Sequence, residues 1–336
     1  MQVNAIVCKE IAEDIGSVGL QQIELPDPGP GQVRVRLKAC AVNFPDLLMI
    51  QGKYQFKPPL PFAPGGEAAG DIEACGPGVS FKEGDAVIVG MRYGGFAEAV
   101  VVDESQVKPL PKGMSYAKGA SYQTAYLTAY VALKRRGYLE QGETLLVHGA
   151  TGGVGMAAVD LGKHFGAKVI GTGGRDDKLA VVASRGADHV INYTMEDGSL
   201  GGFRDTVKAL TDGRGADVIY DPVGGDVFDE SMRCINWGGR ILSIGFTSGR
   251  WPQAPVNLIL IKQISVIGVR AGEYGRQDPV KGLENAQRLY AMAEAGEIDP
   301  YISHALPLEK AVEAMRLLEQ RQVVGKAVVT MNGYQM

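Results

Sequence analysis

Residues 145–155, reading LLVHGATGGVG, constrain the fold more than any other stretch. A short apolar run, Leu145 to Val147, delivers the chain into a glycine cluster, and Val154, Ala157, Ala158, Leu161 and Phe165 then recur at helical spacing. This is strand, tight turn, helix. Gly152, Gly153 and Gly155 let the turn close and let a pyrophosphate approach the backbone. The opening amides of the helix, Val154 among them, would point at that ligand with the positive end of the helix dipole behind them. A turn in a parallel sheet with no ligand is the plain alternative, but strand, turn and helix in this order favour a nucleotide.

The same alternation continues downstream. KVIGT (168–172), DHVINY (188–193), ADVIYD (216–221), GRILSIG (239–245) and SVIGVR (265–270) read as strands. Helical patterns at 176–186, 203–210 and 227–235 and an apolar segment at 256–263 separate them. Six short runs joined by helices predict an α/β, doubly wound, six-stranded parallel Rossmann domain, with ligands at the carboxyl ends of its strands.

The end of the second strand bears on which dinucleotide binds. An Asp or Glu there would hold the ribose hydroxyls and repel a 2′-phosphate. This chain has Gly173 and Gly174, followed by Arg175 and Lys178, with Tyr193 at the end of the third strand. A neutral tip ringed by cationic donors suits a phosphate dianion and favours NADPH. The alternative, that Arg175 and Lys178 only solvate a helix N-terminus, is weakened because the dipole disfavours cations there.

A chain of 336 residues predicts two domains. A net charge of -4 argues against a nucleic-acid footprint. No apolar run reaches membrane-spanning length and MQVNAIVCKE lacks signal-peptide zones. Cys8, Cys40, Cys75 and Cys234 lie far apart without CxxC, which predicts free thiols in a reducing cytoplasm. Upstream of residue 124 the texture is β-rich: QVRVRLKACAV (32–42) alternates apolar and cationic residues, and 84–90 and 95–103 are further β-like runs. Helices at 280–295 and 308–320, a short strand near 301–306 and a final strand KAVVTM (326–331) are assigned back to this domain. The expected division is 1–124 with 271–336, and 125–270 for the nucleotide domain, with the site in the cleft between them. The edge strand 265–270, β-branched and exposed, is expected to pair with its counterpart in a homodimer.

VNFPDLLMIQGKY (42–54), PFAPGGEAAG (61–70), FKEGDAVI (81–88), the glycine loop, INY (191–193) and DPVGG (221–225) resemble the quinone oxidoreductase (zeta-crystallin-like) branch of the zinc-free medium-chain dehydrogenase/reductases. The resemblance spans essentially the whole chain and implies a GroES-like β-rich catalytic domain, a Rossmann domain, NADPH and commonly a homodimer. Zinc alcohol dehydrogenases of the superfamily carry a metal-binding Cys where Asn43 stands and a His where Gly66 stands. What the resemblance implies is therefore metal-free hydride transfer to a quinone or other activated α,β-unsaturated carbonyl.

The resemblance also implies residue roles. Asn43 would be the amide beside the nicotinamide, bonding the cofactor or an incoming carbonyl; a turn-forming Asn after a strand is the alternative. Thr128 would face the nicotinamide from the crossover helix, or equally bond its own backbone. Gly245, Phe246 and Thr247 after the fifth strand, and Val269 and Arg270 after the sixth, would frame the nicotinamide ribose and carboxamide. Arg321 resembles a position that reaches the cofactor, although an exposed helix-end Arg needs no such role. His148 reads as a loop anchor rather than a base. Tyr54 would line the substrate site, or protonate the α-carbon if the chain is instead an enoyl thioester reductase, or simply pack. A catalytically quiet NADPH-binding protein is the alternative of another class.

Overall fold

The computed structural model describes residues 1–195 and 202–336 of the chain. They form two compact units, Met1–Gln123 with Ala293–Met336, and Thr124–Met292. In chain order the first unit supplies β1 (Gln2–Val7), β2 (Gly19–Glu24), β3 (Gln32–Val42), β4 (Glu67–Cys75), β5 (Ala86–Gly90), β6 (Ala99–Asp103) and β7 (Val107–Pro109). The second supplies β8 (Thr144–Val147), β9 (Lys168–Gly173), β10 (His189–Asn192), β11 (Ala216–Asp221), β12 (Ile235–Ser243) and β13 (Ser265–Gly268). The chain then returns to the first unit for β14 (Ile302–Pro307) and β15 (Lys326–Thr330).

In the first unit β3 is the spine. Val33, Val35, Leu37 and Ala39 are fully buried, while Arg34 and Arg36 point the other way onto Glu73 of β4. This is the one-face-wet pattern of an antiparallel sheet. One edge of β3 is shared: β6 pairs with its first half, Gln32↔Asp103 to Arg36↔Ala99, and β15 with its second, Ala39↔Thr330 to Val42↔Ala327. β4 covers the other edge. The C-terminal strands are therefore built into the sheet that the N-terminal strands begin.

The second unit has strand order β10-β9-β8-β11-β12-β13, all parallel. Counted from β8, this is 3-2-1-4-5-6, the doubly wound order, with its switch point between the neighbours β8 and β11. Leu145, Leu146, Val147, Val218, Ile219 and Tyr220 are fully buried at that centre, as strands covered on both faces require.

The sequence placed the second boundary at 270, whereas the unit extends to Met292. Helix Ala271–Gln277 and nearly all of Pro279–Glu294 belong to it. Arg135 donates from Nε to Asn285 Oδ1 at 2.7 Å and pairs with Glu284 at 2.8 Å, and Leu289 and Met292 are buried. An amphipathic pattern states that a helix has an apolar face but not which core receives it. The apolar segment 256–263 is the helix Val256–Lys262, yet none of its residues is buried, and Val256, Leu260 and Ile261 are 69–77% exposed. Among the described residues no helix is long and apolar enough to cross a membrane.

Candidate active site

The glycine turn joins β8 to helix Gly153–His164. The His148 amide donates to Tyr220 O and the Ala150 amide to Thr172 O, tying the turn to both neighbouring strands. Two glycines are needed on steric grounds. Gly149 has φ +56°, and a Cβ on Gly155 would lie 2.2 Å from Gly149 O. The sequence reading singled out Gly152, Gly153 and Gly155 but missed Gly149. Gly152 is the N-cap, in ordinary extended conformation, and Met156 N–H makes the first intrahelical bond back to Gly152 O. The amides of Gly153, Val154 and Gly155 therefore have no acceptor within the helix. With no side chain to block approach at 152 and 153, this surface fits a dinucleotide pyrophosphate.

At the end of β9, Gly173 and Gly174 leave the tip free of carboxylate. A methyl group on Gly174 would lie 3.0 Å from Thr194 Oγ1 and 3.8 Å from the Tyr193 ring. Gly174 and Tyr193 are thus brought together, along with Thr194, which the sequence reading did not name. The expected cationic ring needs correction. Arg175 makes a two-pronged pair with Asp177, from Nε at 3.0 Å and Nη2 at 2.6 Å, both side chains well exposed. Asp176 accepts from Asn192 Nδ2 at 2.9 Å. Two acids in the first helical turn, where the dipole favours them, offset the two cations. Lys178 is buried, and burial followed by the neighbouring Arg175 pulls its pKa down.

Elsewhere in this unit, Thr128 donates Oγ1–H to Thr124 O at 2.8 Å, the bond expected of a helix-interior threonine. Thr247 donates its amide to Pro222 O at 3.1 Å, and Phe246 is 44% exposed beside it. Gly245 precedes them in the segment that leaves β12. The Val269 amide bonds Ser243 O, so β13 runs out beside β12, and exposed Arg270 lies 3.8 Å from Glu273. Asp221, not singled out from the sequence, ends β11 fully buried and accepts the amides of Val223 and Gly224 at 2.8 and 2.9 Å. Burial lifts its pKa to about 6 against the opposing pull of those amides.

His148 is wholly buried, with Nδ1 2.8 Å from Thr172 Oγ1 and Nε2 2.8 Å from Ser231 Oγ. The Ser231 hydroxyl already donates to Val227 O at 2.6 Å, so Nε2 carries the proton and Nδ1 accepts from Thr172. Burial drives its pKa down to about 3. The imidazole is a neutral anchor between β9 and the helix after β11.

In the first unit, Asn43 leaves β3 as the N-cap of helix Phe44–Ile50. Its backbone amide donates to Asp46 Oδ2 at 2.8 Å, and Asp46 Oδ1 accepts from the Gly65 amide at 3.0 Å. Burial raises the Asp46 pKa to about 6. The Asn43 side chain donates from Nδ2 to Glu67 Oε1 at 3.0 Å, and its Oδ1 accepts from Lys326 Nζ at 2.6 Å. Lys326 also bonds Glu67 Oε1 at 3.0 Å, and both charges are buried, at 5% and 1% exposure. Neither Glu67 nor Lys326 was assigned a role from sequence.

Tyr54 lies beyond the other end of that helix, its amide bonded to Leu48 O at 3.1 Å, so one short helix separates it from Asn43. Tyr54, Phe56 and Tyr93 are half-buried against the same core, with Phe56 and Tyr93 stacked at 6.1 Å. Arg321 stands exposed at φ +56° just past helix Ala311–Glu319, its amide closing onto Leu318 O. Among the described residues no group of three or more His, Cys, Asp or Glu is arranged to hold a metal ion.

Comparison with known proteins agrees with this architecture. The family "Alcohol dehydrogenase GroES-like domain" matches residues 29–112 and "Zinc-binding dehydrogenase" matches 153–298. The chain is 39% identical over 97% of its length to the quinone oxidoreductase-like protein 2 homolog of Nematostella vectensis, covering 88% of that protein. The chain belongs to the quinone oxidoreductase branch of the medium-chain dehydrogenase/reductases. Among solved structures, a probable oxidoreductase from Mycobacterium abscessus is 34% identical with a TM-score of 0.87, covering 98% of this chain and 99% of that one. A mycobacterial protein solved with NADPH is 28% identical with a TM-score of 0.86, over 98% and 99%. This medium-chain reductase is thus an NAD(P)-dependent oxidoreductase with a GroES-like and a Rossmann unit.

The buried titrating groups of this reductase oppose one another. His148 is unperturbed at 6.5 but folded at about 3, so its contribution to stability is complete above 6.5 and is lost as pH falls toward 3. Asp46 and Asp221 have folded values near 6 above an unperturbed 3.8, so their cost is full above 6 and disappears toward pH 4. Each unit of pH inside a window changes the balance by about 1.4 kcal/mol per group. His148→Gln keeps a donor and an acceptor but cannot protonate. Between pH 7 and pH 5 the Tm of the variant is expected to rise relative to the unmodified protein by several degrees. A constant gap over that range would show that the imidazole is not held neutral.

Proposed function

We propose that the protein is an NADPH-dependent quinone oxidoreductase acting in the cytoplasm, passing hydride to a quinone or other activated α,β-unsaturated carbonyl without a metal. The observation that carries the reading is the pair of glycines at the end of β9. Gly173 and Gly174 put no carboxylate at the strand tip itself, Tyr193 and Thr194 lie beside Gly174, and Arg175 and Lys178 follow in the sequence as the cations that would meet a 2′-phosphate in competition with Asp177. Bound NADPH supplies the hydride. Val154 and the neighbouring amides would hold its pyrophosphate, Gly245, Phe246, Thr247, Val269 and Arg270 would frame the nicotinamide end, Thr128 would contribute from its helix, and Arg321 from just beyond helix Ala311–Glu319. Asn43 bonds the acceptor carbonyl. The half-buried aromatics Tyr54, Phe56 and Tyr93 suit a planar acceptor.

The Arg175–Asp177 pair sharpens the cofactor expectation, because a 2′-phosphate has to compete with Asp177 for the guanidinium. NADPH should bind more tightly than NADH, with a difference that narrows in Lys178→Ala and widens several-fold in Asp177→Ala. Fluorescence titration of both cofactors decides it: equal dissociation constants in the unmodified protein contradict the reading.

For the acceptor, a quinone oxyanion takes its proton from solvent, so Tyr54→Phe should alter KM and leave most of kcat. An enoyl thioester needs a carbon acid, and there the same change would cost about 10²–10⁴-fold. The best quinone is expected to exceed the best enoyl thioester in kcat/KM. If thioesters win and Tyr54→Phe abolishes their reduction, the enoyl reductase reading is correct.

We also propose a homodimer through the second unit. Among the described residues β13 has a strand neighbour on one side only, Val266 on it is exposed, and Val256, Leu260 and Ile261 present apolar surface on the preceding helix. Unpaired strand edges and apolar faces of this kind seek cover. Light scattering should give twice the chain mass, and Leu260→Asp with Ile261→Asp should give monomers; a monomeric unmodified protein at assay concentration removes the proposal.

A further inference from the structure

We infer that Glu67 and Lys326 are positioning residues that fix the Asn43 amide as a hydrogen-bond donor to the acceptor carbonyl. The three side chains form a closed ring: Lys326 Nζ to Asn43 Oδ1 at 2.6 Å, Lys326 Nζ to Glu67 Oε1 at 3.0 Å, and Asn43 Nδ2 to Glu67 Oε1 at 3.0 Å. An ammonium only donates and an ionised carboxylate only accepts. The amide oxygen therefore faces Lys326, the amide nitrogen faces Glu67, and the flipped arrangement would set donor against donor and acceptor against acceptor.

The consequence lies in what is left over. An amide nitrogen has two hydrogens, and the bond to Glu67 uses one. Asn43 is half-buried while Glu67 and Lys326 are buried to 1% and 5% exposure, so the remaining N–H belongs to the member of the ring that solvent reaches. The Asn43 backbone is held separately through its amide to Asp46, which also holds Gly65. With main chain and side chain both fixed, the donor needs no reorganisation as charge develops on a carbonyl oxygen. The ring also carries no net charge from Glu67 and Lys326 together, so it does not repel an incipient oxyanion as an unpaired carboxylate would.

This inference rests on the proposed quinone reduction, and its test separates the two. Single replacements would leave a buried unpaired charge and risk misfolding, so the working variant is Glu67→Gln with Lys326→Met, compared with Asn43→Ala and with the triple variant. In NADPH-driven quinone turnover, the double variant and Asn43→Ala should each lose about 10²-fold in kcat. The triple variant should be no worse than either, and the NADPH dissociation constant by fluorescence should stay within twofold. A double variant that keeps kcat while Asn43→Ala loses it, or losses that multiply in the triple variant, overturns the positioning role. Independently of turnover, ¹⁵N-asparagine labelling locates the Asn43 side-chain resonances as those absent from Asn43→Ala. They should be two distinct, slowly exchanging protons in the unmodified protein that shift and exchange faster in the double variant; unchanged resonances overturn the inference. If the unmodified protein reduces no quinone, the functional reading fails and the resonances alone decide whether the ring holds the amide.

Discussion

A buried ammonium in the last strand closes the first unit. Lys326 opens β15 and Glu67 opens β4, 259 positions apart, and their bond spans the strand β3 that both flank. The chain leaves this unit at Gln123 and returns at Ala293, so its sheet stays incomplete until the C-terminal strands arrive. Two charges this deeply buried tolerate no other register. A slip of one residue would turn Lys326 to the opposite face and strand Glu67 without a partner, at the cost of an uncompensated buried charge. The pair therefore specifies how the terminal segment docks, and the amide of Asn43 is held by the same two groups that set this register.

The second unit depends on a steric constraint instead. The helix after β8 can approach the turn only because nothing projects from Gly155 toward Gly149 O. That approach brings three helix-opening amides to the carboxyl end of the sheet. Around it, buried polar groups hold the neighbouring loops: His148 bridges Thr172 and Ser231, and Asp221 gathers the amides of Val223 and Gly224. Both side chains are buried, at 0% and 1% exposure. Each replaces a lost hydration shell with fixed hydrogen bonds, and it is their burial that lowers the imidazole pKa and raises the carboxyl one.

Much of this was legible in the sequence because it rests on local patterning. The six strands of the second unit follow from β-branched runs, and the wet and dry faces of β3 follow from strict alternation between valines and arginines. The family follows from motifs spread over the whole chain. What was not legible rests on long-range pairing. Lys326 sits in GKAVVT as a lone charge inside an apolar run; that signals the need for a buried partner, but nothing local identifies Glu67. Gly149 was overlooked because the glycines after it fit the familiar spacing, while the positive φ falls where the strand hands over to the turn. The cations near β9 stand out in the sequence, but Asp176 and Asp177 between them decide their surroundings, since the helix dipole that disfavours Arg175 and Lys178 at this N-terminus favours the two acids.

The segment 256–262 shows the limit of hydropathy most directly. VNLILIK is a mostly apolar segment, yet Leu260 and Ile261 face solvent and no residue of their helix is fully buried. The adjacent β13 is the terminal strand of the sheet, so both layers at this side of the unit end together without cover. Apolar composition states that a surface has to leave water, and a fold of one chain can satisfy that only where it has another layer to supply. Leu258 and Ile259 pack partly against the core of the second unit, while Val256, Leu260 and Ile261 on the same helix meet no further layer among the described residues. Apolar composition alone therefore does not say which residues of a helix the fold covers; that depends on how many layers the sheet carries at its end.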